Sequence, residues 1–407
     1  MNALTRRRLL ASAGAGAGLA MLPARLALAA APGDRRFVLV ILRGGLDWLA
    51  AVPPYGDPAL KDLRRGAMAI AEPGQPEGAL DLGGRYGLHP ALAPLHPYYK
   101  RGEMLAIHAA CSNYRGRSHF DGQDILESGA ATPFGVRDGW VNRALAALGT
   151  PSGGARQGLA LGQTVPLALR GPVPVASWAP NALPQLEPGL MQTIAEIYRH
   201  DAALGPALAE GMKSQAFADE TMNGGQRMSQ PPAQGAQQFR QAAQAAGKMM
   251  AAAKGPRVAV MDIGGWDTHA NQGGARGRLA GALQVLAEGL DDLAQGLGPA
   301  WKETVVLVET EFGRTAAVNG TGGTDHGTAG AAFLLGGTVA GGRVAADWPG
   351  LDGGRLHEGR DLAATTDLRA VAKTILIRHL GLPAQSVEAR VFPDSAEARP
   401  LTGLLRV

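Results

Sequence analysis

Two short stretches of this chain each place an aspartate beside or near a histidine, and both residue types bind divalent metal ions. The first pair, Asp267 and His269, ends the string Gly-Gly-Trp-Asp-Thr-His. The second pair, Asp325 and His326, opens the string Asp-His-Gly. Carboxylate oxygens and imidazole nitrogens are ligands of zinc and related metals, and the adjacent glycines permit tight backbone turns. Together the two pairs predict a divalent metal site.

The same residues have a structural alternative. Aspartate and histidine in glycine-rich loops also cap turns and hydrogen-bond the loop backbone without any metal. His119, which stands two residues before Asp121, has the same two interpretations: a further metal ligand, or a polar residue on an ordinary helix. Residue types alone leave both interpretations open.

The distribution of apolar residues predicts the strands and helices that would position these loops. Short apolar runs typical of buried strands occur at 37–42, 105–110, 258–261, 305–308 and 331–335. Longer stretches with helical spacing occur at 190–204, 236–253, 279–297 and 367–380. Asp367 is the expected N-cap of the last helix, and Gly381 follows its end. Alternating strands and helices predict an α/β fold with a mostly parallel central sheet covered by helices on both faces.

Polar loops follow four of the predicted strands, at 43–48, 111–121, 264–269 and 311–315. Ligands of open parallel sheets bind beyond the carboxyl ends of the strands. If these strands are neighbours, their loops converge on one rim, which the Asp325 and His326 segment would reach from the side.

Two arginines in these loops are candidates for binding an anionic substrate oxygen. Arg43 directly follows the first predicted strand, and Arg314 lies in the loop after the strand at 305–308. A guanidinium matches the geometry of phosphate and sulfate oxygens. Arg314 has an alternative role, because an ion pair with Glu311 would order the same loop.

The first 31 residues have the features of a cleavable twin-arginine export signal. Arg6, Arg7 and Arg8 precede an apolar run rich in alanine and glycine that ends in small residues. A membrane anchor is the alternative, but the run at 9–22 is short for a span. We predict recognition by the twin-arginine export machinery, a periplasmic or extracellular location, and no stable membrane span after cleavage.

Composition limits what the exported part can be. The chain has 39 basic and 35 acidic residues, and four arginines lie in the first 29 residues, so 35 residues of each sign remain after cleavage. A neutral chain without a basic block argues against nucleic-acid binding. The single cysteine, Cys111, excludes an intramolecular disulfide. Residues 32–407 are long enough for one large domain, with loop insertions predicted near 149–158 and 222–237.

The motifs named above, together with Ser118-His119-Phe120 and Glu-Phe-Gly-Arg-Thr at 311–315, resemble the exported domain of unknown function family 1501. That family is in turn similar to the alkaline phosphatase and sulfatase superfamily. The resemblance implies an α/β sandwich, a divalent metal ion (Zn, Mn, Mg or Ca), an anionic ester substrate, and a Ser, Thr or formylglycine nucleophile.

The superfamily resemblance extends to individual ligand positions. Asp325 and His326 match its late Asp-His-Gly metal motif, and Asp267 and His269 correspond to its earlier Asp and His pair at a tighter spacing. The superfamily normally places a metal-binding acid after the first strand. This chain has Arg43 there and offers Asp47 four residues later, so the resemblance makes Asp47 the substitute ligand.

Two residues are candidate nucleophiles. Cys111 begins the string Cys-Ser-Asn-Tyr-Arg, which resembles the sulfatase Cys-x-Pro-x-Arg sequence that is converted to formylglycine, although Asn113 replaces the proline. Ser118 lies at the predicted start of a helix, where free backbone N–H groups and the helix dipole stabilise anions. A serine would need metal activation at neutral pH. We favour Ser118 over Cys111.

Two functional hypotheses follow. The first is a metal-dependent hydrolase of phosphate or sulfate esters, in which Ser118 or an activated water attacks. The second is a non-catalytic exported binding or assembly protein on a degenerate sulfatase-like fold. Cleavage of an amide or carboxylic ester on the same scaffold also agrees with the residue types, since a fold does not fix its chemistry.

Overall fold

The computed structural model describes residues 35–149, 157–180, 188–201 and 235–406, with a few positions between 204 and 221. The predicted export signal at 1–31 lies outside the described residues. So do most of the two predicted loop insertions, at 150–156 and 222–234. The single-domain boundary at residue 32 therefore stays a prediction.

Eleven strands occur in the described part of the chain: β1 (Arg36–Arg43), β2 (Leu80–Asp81), β3 (Gly87–Leu88), β4 (Met104–Cys111), β5 (Gly158–Leu161), β6 (Ala176–Trp178), β7 (Val258–Gly264), β8 (Thr304–Thr310), β9 (Gly330–Leu335), β10 (Arg343–Ala345) and β11 (Thr366–Asp367). Nine of them form one sheet in the order β10-β4-β9-β8-β1-β7-β5-β6, with β11 beside β4. Strands β2 and β3 form a separate hairpin. Only β9 runs antiparallel to its neighbours in the large sheet.

The central strand β1 explains why the sheet is buried on both sides. Phe37 and Ile41 pack into one hydrophobic core, whereas Val38 and Val40 pack into a second core on the opposite face. Successive side chains of a strand point to opposite faces, so a strand that is apolar at every position needs cover on both. This confirms the predicted α/β architecture with a mostly parallel central sheet.

The described helices are α1 (Trp48–Ala51), α2 (Leu60–Leu63), α3 (His96–Lys100), α4 (His119–Ser128), α5 (Trp140–Leu148), α6 (Pro188–Tyr198), α7 (Ala236–Ala251), α8 (Arg278–Leu297), α9 (Leu368–Thr374) and α10 (Ala384–Ser386). Helices α7 and α8 cover one face of the sheet, and α5 and α9 cover the other. Four of these helices occupy the stretches predicted from apolar spacing. None of the described helices is both long and apolar enough to cross a membrane.

The last predicted helix illustrates how local sequence sets a boundary. Asp367 caps α9, because its carboxylate accepts a hydrogen bond from the Arg369 N–H at 2.8 Å. The helix then widens into a π-helical turn at Ile375–His379. Gly381, with a φ of 74°, follows the end of this turn, as the sequence predicts.

Candidate metal centre

The loops after β1, β7 and β8 meet because these three strands are adjacent and parallel. Gly44 allows the closest approach. A Cβ at this position would lie 2.8 Å from the Asp267 backbone nitrogen, and its φ is 123°, so only glycine fits here without strain. The loop after β4 joins them through α4, whose first residue is His119.

The Asp325 and His326 segment reaches the same rim by pairing with the loop after β8. The Gly327 N–H donates to the Gly313 carbonyl at 2.9 Å, and the Thr315 N–H donates to the Asp325 carbonyl at 2.9 Å. A Cβ on Gly327 would lie 2.5 Å from the Arg314 carbonyl carbon. The glycine of the Asp-His-Gly string is therefore required for this pairing.

His119, Asp267 and His326 form a cluster in which one potential ligand atom of each lies within 4.8 Å of the others. The Oδ1 atom of Asp267 is 3.5 Å from His119 Nε2 and 3.2 Å from His326 Nε2. His269 approaches from the more exposed side, with its Nε2 atom 3.0 Å from the same Asp267 oxygen. Three imidazole Nε2 atoms thus surround one carboxylate oxygen.

Each of these imidazoles is held through its other nitrogen. The Nδ1 atom of His119 lies 2.8 Å from Glu311 Oε1, and that of His326 lies 2.8 Å from the Arg117 carbonyl. His269 Nδ1 lies 3.2 Å from Asp325 Oδ1. These three oxygens can only accept, so we assign the proton of each imidazole to Nδ1.

This tautomer assignment leaves three Nε2 lone pairs pointing toward the Asp267 carboxylate. His269 Nε2 and His326 Nε2 are only 3.0 Å apart, and the buried Nε2 atom of His119 has no hydrogen-bond partner. Lone pairs and a carboxylate oxygen at such distances repel unless a cation lies between them. Tethering of Nδ1 with Nε2 left free is the usual arrangement of metal-binding histidines. The residues present therefore fit a divalent metal ion.

Asp267 is ionised under ordinary conditions. Burial would raise its pKa, but the hydrogen bond and the charge of Arg314 outweigh this and lower the pKa to about 2. A deprotonated carboxylate is the form that binds metal.

Glu311 positions His119 and is itself positioned by the strand ends. Its buried carboxylate accepts hydrogen bonds from the Gly44 N–H at 2.8 Å and from Gln123 Nε2 at 3.0 Å. The hydrogen bond to Glu311 raises the pKa of His119. The imidazole is therefore more basic, and its Nε2 atom binds a positive ion more readily. Burial lowers the pKa of His326, which favours the neutral imidazole.

The ion pair considered for Glu311 and Arg314 is not formed. Glu311 pairs with His119 and Arg314 pairs with Asp267. Arg314 is buried, and its guanidinium donates to the carbonyls of Gly45, Thr324 and Trp266, among other groups. It ties three loops together, so the structure favours a loop-ordering role over the predicted contact with a substrate anion.

Arg43 is also occupied by protein partners. Its guanidinium lies 2.7 Å from Glu127, 2.6 Å from Asp262 and 3.0 Å from the Gln123 side-chain oxygen. Two carboxylates neutralise its charge, and the residue does not contact the cluster. This geometry argues against the predicted role in anion binding.

Asp47 is not a member of the cluster, contrary to the expectation drawn from the superfamily. After Gly44 and Gly45 the chain turns inward, and Asp47 caps α1 with a fully buried side chain. Its carboxylate pairs with Arg64 and accepts a hydrogen bond from Gln272 at 2.7 Å. These partners satisfy the charge of Asp47 inside the protein.

Asp325 lies one step outside the cluster. Its Oδ1 atom contacts His269 Nδ1 and accepts a hydrogen bond from Asn319 at 3.0 Å, and its side chain is half exposed. The structure therefore has Asp325 orienting His269, whereas His326, its neighbour in sequence, faces Asp267.

The two candidate nucleophiles have different surroundings. Ser118 caps α4 and accepts a 3.4 Å hydrogen bond from the Asp121 N–H, which confirms the predicted helix start. Cys111 is buried at the end of β4, where burial raises the pKa of its thiol to about 11. A nucleophilic cysteine needs thiolate character, so the unmodified thiol is a poor nucleophile here, and conversion of Cys111 to formylglycine stays a prediction.

Sequence reasoning missed two residues that shape the cluster. Arg117 contributes its backbone carbonyl to His326, and its side chain is fixed by Asp361 at 2.7 Å and Glu358 at 2.6 Å. The Glu311 carboxylate holds His119 through its Nδ1 atom. A backbone acceptor leaves no sequence signal. Glu311 lies in a loop that the sequence places at the rim, but its residue type does not show which partner it takes.

The solved structures that this chain resembles are distant in sequence. The zinc complex of the C-terminal periplasmic domain of EcEptC from Escherichia coli has a TM-score of 0.34 at 10% identity, over 75% of this chain and 73% of that one. The PsFucS1 sulfatase from Pseudoalteromonas sp. has a TM-score of 0.40 at 12% identity, over 92% and 74%. The phosphonate monoester hydrolase of Agrobacterium radiobacter has a TM-score of 0.34 at 12% identity, over 86% and 74%.

Sequence comparison gives the family. No curated protein matches the chain significantly. The family model described as a protein of unknown function, DUF1501, matches residues 114–391, which is more than half of the chain and includes the whole cluster. The chain belongs to the DUF1501 family.

Proposed function

We propose that this protein is an exported, metal-dependent hydrolase of phosphate or sulfate esters. The observation that carries the proposal is the convergence of three imidazole Nε2 atoms on Asp267 Oδ1, at 3.5, 3.2 and 3.0 Å. A purely structural loop has no need for three lone pairs that face one carboxylate, because ordinary turn capping satisfies polar groups rather than opposing them.

The donor set restricts the metal. Nitrogen-rich sites with one carboxylate suit zinc or manganese, whereas magnesium and calcium prefer shells made of oxygen. When bound, such an ion supplies Lewis-acid polarisation of an ester oxygen and activates the attacking nucleophile. His119, Asp267 and His326 would hold it, and His269 would complete the donor set from the exposed side.

Ser118 is the nucleophile that we propose. Both of its neighbours in sequence contact the cluster: the Arg117 carbonyl lies 2.8 Å from His326 Nδ1, and His119 is a member. Ser118 also starts the ten-residue helix α4, whose first N–H groups and dipole favour an anionic ester group. Attack by Ser118 Oγ would release the alcohol and leave a serine ester for water to cleave.

The choice of an anionic ester rests on this helix start and on the superfamily resemblance of the Asp-His-Gly motif. The two arginines expected to bind the anion are committed to protein groups. We therefore propose that the metal and the N-terminus of α4 hold the anionic group. The proposed export rests on the twin-arginine signal at 1–31 and would deliver the folded, metal-loaded protein.

Metal analysis of the exported protein tests this proposal. We expect near-stoichiometric zinc or manganese in the wild type and its loss from a His119→Ala/His326→Ala variant, because two ligands are removed at once. His200→Ala removes an exposed histidine that contacts none of the cluster residues and should keep the metal. Equal metal content in all three proteins would refute the site, provided that circular dichroism shows the variants to be folded.

Turnover of aryl phosphate and sulfate esters then tests the nucleophile. Ser118→Ala should retain metal and lose roughly a thousandfold or more in kcat. Cys111→Ala, the matched control at the other candidate, should hydrolyse at the wild-type rate. Full activity of Ser118→Ala would refute Ser118 as the nucleophile and leave an activated water as the attacking group.

One observation favours the alternative of a non-catalytic binding protein. Arg43 stands where the superfamily has a metal-binding acid, and it is neutralised by Glu127 and Asp262. A site with fewer metal ligands could bind an ion and an anionic group without turning it over. The alternative predicts wild-type metal content, measurable affinity for phosphate or sulfate, and no hydrolysis of any ester tested.

A further inference from the structure

Two phenylalanines, one on α4 and one in the turns after it, are unusually exposed. The side chains of Phe120 and Phe134 are 83% and 66% exposed, whereas the other large apolar side chains exposed in the described residues, Ile197, Leu204 and Met212, all lie near or beyond α6. Within the described segments 35–149 and 235–406, these two rings are thus the large apolar groups most open to solvent. Phe120 lies on α4, whose first residue is His119, and Phe134 lies in the turns that follow this helix.

Phe120 is tied to the cluster by its place on α4. It follows His119 directly and lies three residues before Gln123, which hydrogen-bonds Glu311 at 3.0 Å. Residues three apart on a helix share one face. Phe120 therefore lies on the flank of α4 that carries Gln123, one residue from His119.

The backbone of Phe134 is held by the buried carboxylate of Asp124, which lies about one helical turn after Phe120 on α4. Its N–H donates to Asp124 Oδ1 at 2.7 Å, and Asp124 is four residues after Phe120 on the same helix. Four residues correspond to a rise of about 6 Å. Phe134 has a φ of 57°, an unfavourable conformation for a bulky residue, so its loop is held in place by such contacts rather than by its own preference.

We propose that Phe120 and Phe134 form a subsite for a flat apolar ring on the alcohol half of an ester whose anionic group is held at the metal centre. The inference rests on the proposed function and names its substrate class: aryl or similarly ring-bearing esters rather than small alkyl esters. Aromatic pairs add binding beyond the area they bury. A subsite that contacts only the alcohol changes affinity without changing the metal or the nucleophile.

Paired phosphonates test this subsite independently of turnover. Phenylphosphonate and methylphosphonate carry the same anionic group and are not cleaved, and their affinities for the metal-loaded protein can be measured by titration calorimetry. We expect the phenyl compound to bind roughly tenfold more tightly to the wild type. Phe120→Ala and Phe134→Gly should abolish this preference and leave methylphosphonate binding unchanged. Glycine at 134 keeps the positive φ, so that variant isolates the loss of the ring.

Ile197→Ala is the matched control, because it removes an exposed apolar side chain outside α4 and should keep the tenfold preference. Equal affinities of the wild type for the two phosphonates would overturn the subsite while leaving the metal centre intact. Failure to bind either phosphonate would instead count against the proposed function and the subsite with it. If Phe120→Ala changes only the sedimentation coefficient, the rings are a contact between copies of the chain and the subsite is refuted.

Discussion

Glu309 and Glu311 lie two residues apart at the end of β8, and both are buried, yet the pKa values of their carboxyl groups shift in opposite directions. Burial would raise the pKa of Glu311. Hydrogen bonds from His119, Gln123 and Thr310 outweigh it, so the pKa falls and the carboxylate stays charged.

Around Glu309 no such reversal occurs. Burial is the largest effect, and the negative charges of Asp367 and Glu127 add to it, so the pKa rises to about 8. The side chain borders a small cavity of about 10 Å³ that is shared with Asn113 and Trp140, roughly the space of one water molecule.

The difference lies in the donors that each region supplies. At the rim, glycine loops and the first turn of α4 bring N–H groups and imidazoles to Glu311. Below the rim, Glu309 faces the hydrophobic layer between the sheet and α9. A buried carboxyl group is therefore a charged positioning group in one place and a neutral acid in the other.

Replacing Glu309 should produce the largest effect on stability. Its pKa in the folded state is raised above the ordinary value of 4.5. The folded wild type therefore loses stability relative to a Glu309→Gln variant as the pH rises from 4.5 to about 8, by up to about 1.4 kcal/mol per pH unit, and no further above that. Urea unfolding of both proteins across this range measures the difference. Parallel pH profiles would show that Glu309 is charged in the folded protein.

Glu311→Gln should have the next largest effect, and it acts on the metal rather than on the fold. Loss of the carboxylate removes the anchor of His119 and lowers its basicity, so metal affinity should fall about 10- to 100-fold. Competition with a chelator gives the affinity. Glu303→Gln, at an exposed glutamate just before the same strand, should bind metal normally. Unchanged affinity in Glu311→Gln would separate Glu311 from the centre.

Asp325→Asn should weaken metal binding by a smaller factor, roughly two- to fivefold, because Asp325 is half exposed and its interaction with His269 is screened by water. The same chelator assay applies. A loss as large as that of the His119→Ala/His326→Ala variant would make Asp325 a direct ligand.

Cys111→Ala should have the smallest functional effect. The thiol packs against Leu49 and Ala109 rather than facing the cluster, so we expect wild-type turnover and a free energy of unfolding lower by about 1 kcal/mol. Thermal unfolding and ester hydrolysis measured on one preparation provide both values. Loss of turnover in a fully folded variant would restore Cys111 as a catalytic candidate.

The buried strands and the residue types of the cluster could be predicted from the sequence. Strand β1 was predictable because an uninterrupted apolar run fits only a doubly covered strand. Asp267, His269 and His326 were predictable because their residue types and glycine neighbours are unusual together. The convergence of the loops after β7 and β8 depended on strand order, which parallel connections strongly restrict, whereas His326 reaches them because its segment pairs with the loop after β8.

Roles within the rim were not predictable, because they depend on which way each side chain points. Asp47, Asp325 and Glu311 are all acids in glycine-rich loops, and a sequence does not distinguish them. The structure has Asp47 paired with Arg64, Asp325 with His269, and Glu311 with His119. A shift of the chain by one residue in any of these loops would point a different side chain at each of these partners.

X-ray absorption spectroscopy of the metal-loaded protein tests the central claim most directly, because it reports the atoms around the ion. We expect a mixed nitrogen and oxygen shell with the scattering pattern of at least two imidazoles, and the loss of that pattern in His119→Ala/His326→Ala. A shell of oxygen atoms alone, or an unchanged spectrum in the double variant, would contradict a metal centre built on His119, Asp267 and His326.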